Sequence, residues 1–115
     1  MSRTGPDTLP PGNRRDAVAR ALARIAPRQP DFEAAATLDR ALASPGLRSA
    51  ASETAARLAL VSYARHVFTE YDALLADGYD RDSARHFVLD ALNAVLADWG
   101  AAPIPEDEPT TDPVI

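Results

Sequence analysis

Between residues 65 and 72 the spacing of polar side chains is dense enough to do chemistry. Arg65, Thr69 and Asp72 fall at i, i+4 and i+7, and His66 with Glu70 repeats the i, i+4 interval on an adjoining face. A cation, an imidazole, a hydroxyl and two carboxylates therefore converge within about two helical turns. A returning antiparallel helix would bring Arg81 and Arg85 alongside them. Such a cluster is suited to gripping an anionic or polar group. The plainer reading is an internal ion-pair network, Asp72 with Arg65 or with Arg85, that locks two helices together, because buried charges must be paired.

Other chemistries find less support. His66/Glu70 and His86/Asp90 repeat one spacing on consecutive segments, and a histidine with a carboxylate one turn away can ligate a metal. His86, however, lies opposite the apolar stripe that runs from Phe87 to Trp99, which points it to solvent and away from convergence. A metal-dependent hydrolase built on His66 and Glu70 is therefore the third-ranked reading, and no metal or other cofactor is expected. The chain has no cysteine, so thiolate metal sites, cysteine nucleophiles and disulfides are excluded. Ser52, Ser62 and Ser83 have no glycine-rich elbow around them, and the five glycines are scattered singly with no phosphate-cradling loop. Asp80 and Asp82 are accounted for by helix capping. The residues lean away from an enzyme.

All twelve basic residues are arginine, and the formal net charge is −5. That total hides an asymmetry. Up to Ala50 eight arginines oppose five acids, a surplus of three positive charges; beyond it four arginines oppose twelve acids, a surplus of eight negative. The basic front and acidic back can attract one another within a chain or between chains. Arg14, Arg15, Arg20 and Arg24 form the one candidate nucleic-acid surface, although no aromatics are interleaved with them and the acidic half repels phosphate.

The elements that must position these groups are helical. Residues 1–12, with three prolines and two glycines, read as a flexible arm. Asn13 caps a first helix that Pro27 stops, with Asp16 as its capping-box partner. Asp31 caps a second helix after Pro30, with an apolar stripe of Phe32, Ala35, Leu38 and Leu42. After the break at Ser44-Pro45-Gly46 a third helix begins near Leu47. It either continues to Asp77 or is interrupted around residues 49–53. Its apolar residues form two stripes, so it is central or lies at an assembly interface. Gly78 ends it, Asp80 caps a fourth helix, and Gly100 ends that. Residues 101–115, with four prolines and no basic residue, read as a disordered acidic tail. The expected fold is all-α: a single helical domain over residues 13–100 with about four helices and the third–fourth hairpin at its core. Nothing resembles a signal peptide or a membrane span, so a cytoplasmic location is expected.

Arg65-His66, Thr69, Tyr71-Asp72, Leu75, Gly78, Arg81, Ala84-Arg85 and the closing Trp99 resemble an uncharacterised family, domain of unknown function 2293. The resemblance covers about Arg65 to Trp99 and implies that this polar cluster belongs to a surface the family shares. It implies no reaction. The leading expectation is a small non-catalytic interaction or assembly module. It presents Arg65, His66, Thr69, Tyr71, Asp72, Arg81 and Arg85 to a protein partner or to another copy of itself. Nucleic-acid binding through the first helix is the alternative, and no membrane partner is expected.

Overall fold

Asn13 starts the first helix in the expected way: its side chain accepts the Asp16 N–H at 3.1 Å and donates to the Asp16 carboxylate at 2.6 Å. The computed structural model describes residues 13–106 of the 115, and within them the chain is all-helical. The helices are α1 (Arg14–Ile25), α2 (Asp31–Ala43), α3 (Ser52–Phe68), α4 (Tyr71–Ala76) and α5 (Arg81–Asp98), with one 3-10 turn at Pro45–Leu47. No helix among these residues is long and apolar enough to cross a membrane. The expected flexible arm and most of the expected acidic tail lie outside the described residues.

The centre of the molecule is α3. Every position from Ala59 to Arg65 is buried, so all sides of its middle are covered, as its two apolar stripes predict. It packs against α1, α2 and α5. The main core is Val18, Ala21 and Leu22 of α1, Leu38 and Ala41 of α2, Leu60 and Val61 with four alanines of α3, and Leu92 and Leu96 of α5. Alanine dominates the α3 contacts because a helix surrounded on three sides must let its neighbours approach closely. Tyr63 and Trp99 then fill the larger gaps, and the exposed Phe68 ring packs against their edge, with ring centroids 5.4–6.5 Å apart. The hairpin expected at the core is therefore one side of it, with α1 and α2 closing the other.

Three expectations need correction. The stripe of α2 is rotated: Phe32 is 77% exposed and Leu42 and Ala35 also face out, while Thr37, Leu38 and Ala41 are buried. Alanines at 34, 35, 36, 41 and 43 fit more than one face, and the face against α3 uses the small ones. Of the two readings of the third helix the interrupted one holds, so it begins at Ser52 rather than near Leu47. Leu47 instead plugs the core at 1% exposure, and its carbonyl accepts from Arg14 at 2.9 Å. The same helix also stops at Phe68, with Thr69 extended (φ −132°, ψ 175°), before α4 resumes.

Two helices end in the same motif. Tyr79 N–H donates to Leu74 and Gly78 N–H to Leu75, and Ala101 and Gly100 repeat this on Leu96 and Ala97. Both glycines take positive φ, 101° and 79°. The second terminus is also held from outside, since Arg28 donates to the carbonyls of Ala97 and Asp98 at 2.9 and 3.2 Å. Beyond it the chain does not leave the body at residue 101 as expected. Ala101 is buried and Ile104 half-buried, and residues 101–106 run along α3 and α5.

Candidate functional site

The polar cluster forms where α3 gives way to α4, and Thr69 makes that junction. Its hydroxyl donates to the Arg65 carbonyl, which α3 leaves open, and accepts the Tyr71 N–H at 3.2 Å, which α4 leaves open. One side chain thus closes one helix and starts the next. The turn drops Tyr71 inward. Tyr71 is 2% exposed, and with Ala84 and Val88 of α5 it forms a second small core, edged by Leu74 and Leu75.

The other candidates arrange themselves around that ring. The Arg65 guanidinium lies 5.6 Å from the Tyr71 centroid, and the His66 ring meets Tyr71 edge-on at 5.1 Å. His66 Nδ1 is 2.6 Å from Asp72 Oδ1, a clamp across the α3–α4 break. The expected partner of Asp72 was an arginine, and the chain break explains the difference: it rotates Asp72 off the face that continuous helix would have given it. The same rotation separates His66 from Glu70, which ends as the exposed cap residue of α4. Among the described residues no three His, Cys, Asp or Glu side chains come together to hold a metal ion. Arg65, at 6% exposure, and Tyr71 are interior residues, so neither is presented to a partner. His66, Thr69 and Arg85 are half-buried, and Asp72 and Arg81 are exposed.

What this end of the molecule does present was not anticipated. Tyr79 and Phe87 are 45% and 61% exposed and pack edge-to-face with ring centroids 5.4 Å apart. His86, exposed as expected, touches the Phe87 ring at 6.0 Å. Asp77, Asp80 and Asp82 flank Tyr79 in the chain, Asp90 lies one turn beyond Phe87, and all four are exposed. Asp80 caps α5 by accepting the Ser83 N–H at 2.7 Å, and this bond holds its carboxyl below the ordinary carboxylate range. From residue 70 to 90 six acids oppose two arginines. The surface is acidic with an aromatic centre, so it attracts cations where the spacing of Arg65, Arg81 and Arg85 had pointed to anions. Phe87 was expected in the buried stripe of α5. Its exposure was legible only from its position beside Val88, which together with Ala84 and Leu92 marks the buried line.

The arginines of α1 are mostly engaged within the fold. Arg14 holds the Leu47 carbonyl, Arg15 pairs with Asp39 at 3.4 Å, and Arg24 pairs with Glu53 at 3.2 Å. Arg20 is exposed. A further polar group, missed in the sequence, bridges α2 and α3: Tyr63 donates to Glu33, and Arg40 donates to Ser62 at 3.1 Å. Tyr63 and Arg40 border an open groove of about 700 Å³ lined also by Ala36, Ala43 and Pro45.

Residues 21–100 match the model of a family described as an uncharacterized conserved protein (DUF2293). The match reaches back from the α3–α5 segment through α2 and into α1. No curated protein and no solved structure matches the chain.

Proposed function

The chain belongs to the DUF2293 family, and on that premise we propose that it is a non-catalytic interaction module whose docking surface is the Gly78 end of the α4–α5 hairpin. The occupant is a basic polypeptide segment carrying an apolar or aromatic anchor. The observation that carries this reading is the exposed Tyr79–Phe87 pair among exposed Asp77, Asp80, Asp82 and Asp90. Large aromatic surface left in water is unfavourable, and at a binding centre such residues supply most of the affinity. The surrounding carboxylates steer a cationic partner and reject an acidic one. Arg65, Tyr71 and Thr69 act from behind, since they fix where α4 and α5 stand.

Nucleic-acid binding through α1 has less behind it. Arg14, Arg15 and Arg24 already contact protein groups, and an anionic polymer meets repulsion from the acidic hairpin. The test is fluorescence anisotropy with a labelled probe peptide that alternates arginine with leucine and tryptophan, alongside a labelled DNA duplex. The peptide binds the wild-type chain with an affinity that falls with salt, and Phe87→Ser with Tyr79→Ser weakens it at least about tenfold. Equal affinity in the double variant, or preferential capture of the duplex, removes this reading.

A further inference from the structure

Beyond the buried Ala101, residues 102–104 are held through their backbone by side chains of α3 and α5. Arg57 of α3 donates to the Ala102 carbonyl at 2.9 Å and to the Pro103 carbonyl at 3.4 Å. Asn93 of α5 donates to the Ile104 carbonyl at 3.1 Å and accepts the Ile104 N–H at 2.8 Å. In the sequence Pro103-Ile104-Pro105 only Ile104 has a backbone N–H to give. The one receptor that both donates and accepts stands opposite that residue. The receptor that only donates stands opposite the preceding carbonyls, one of them a proline's. The Ile104 side chain, half-buried, packs against the main core, which the buried Ala101 joins at the start of the segment.

We propose that this α3–α5 groove is a peptide-binding site, occupied in cis by the chain's own strap, whose ligand is an extended peptide with an aliphatic residue between two prolines. The chemistry is that of an edge pairing built from side chains. Backbone groups give the affinity, one apolar side chain gives the register, and flanking prolines keep the ligand extended at low ordering cost. The groove shares α5 with the hairpin but does not use the Tyr79–Phe87 pair, so the proposal does not rest on the docking surface at the Gly78 end. Because the strap is tethered at Gly100, its local concentration is on the order of millimolar, and a partner's peptide binds only by displacing it.

The experiment measures binding of a fluorescein-labelled peptide of sequence Ala-Ala-Pro-Ile-Pro-Glu to the full chain. Ile104→Asp loosens the strap and leaves Arg57 and Asn93 intact; Ile104→Ser is the milder variant if the first fails to fold. The loosened chain binds the peptide saturably and the wild type at least about tenfold more weakly, because the tethered strap competes. Adding Asn93→Ala to the loosened chain abolishes binding, and adding Phe87→Ser leaves it unchanged. No binding to a folded loosened chain, equal binding to the wild type, or binding indifferent to Asn93→Ala each overturns the proposal.

Discussion

Tyr63 has its ring stacked on Trp99 and its phenol on the Glu33 carboxylate. Burial and that carboxylate together raise its pKa to about 12 from the usual 10.0. The folded chain thus holds the phenolic proton more tightly than the unfolded chain does. Its contribution to stability is complete below pH 10 and is lost as pH rises from 10 towards 12. Ultraviolet titration detects this late phenol ionisation, and Tyr63→Phe removes it. Tyr71 acts through volume. As the largest member of a core of three buried residues, its replacement by alanine costs about 3–4 kcal/mol, read as the shift in the urea midpoint. The residue types of the polar cluster were legible in the sequence, and so was the proximity of Arg65, His66, Thr69, Tyr71 and Asp72, though not their pairings. Their burial was not. The periodicity assumed one continuous helix, and the break at Thr69 turned Tyr71 inward while Phe87 stayed out.

At the scale of elements, the boundaries follow from local chemistry. Thr69-Glu70-Tyr71-Asp72 has the spacing of a helix start, a signal available in the sequence but masked by the apolar stripes on either side of it. Thr69→Val leaves the Tyr71 N–H and the Arg65 carbonyl without the hydroxyl, costs about 1–2 kcal/mol, and speeds hydrogen exchange at the Tyr71 amide relative to α3. The helix ends at Gly78 and Gly100 were legible, because each ends an apolar periodicity with the residue that tolerates positive φ. Their surroundings differ. A Cβ on Gly78 meets nothing within 4 Å, whereas one on Gly100 lies 3.1 Å from Pro27 Cγ. Gly78→Ala therefore costs only the backbone strain of about 1–2 kcal/mol, and Gly100→Ala lowers the melting temperature further. The start of α3 at Ser52 was also foreseeable from the interruption around residues 49–53. The rotation of α2 was not, since its alanines pack equally well in more than one direction.

For the whole molecule, charge and shape divide along the chain. Arg14 holds a carbonyl, Arg15 and Arg24 form surface ion pairs, and Arg40 holds the Ser62 hydroxyl. The central α3 carries the main core, and the Gly78 end of the α4–α5 hairpin has a small core of its own. The far half of α5 belongs to the main core through Leu92 and Leu96, whereas the Gly78 end rests on three buried side chains and carries the exposed aromatic pair and an excess of carboxylates. This division supports a docking role. The charge asymmetry was plain in the sequence, but which side chains face water depends on packing that no spacing rule supplies. The most direct measurement of the central claim places a photo-crosslinking amino acid at position 87, and separately at position 20 on α1, in the full chain expressed in its own cell. The account predicts one dominant adduct from position 87, with a basic polypeptide. That adduct is lost when Asp77, Asp80, Asp82 and Asp90 become asparagine, and none of comparable yield forms from position 20. Adducts from position 20 alone, or a position-87 adduct that survives neutralising the four carboxylates, would contradict it.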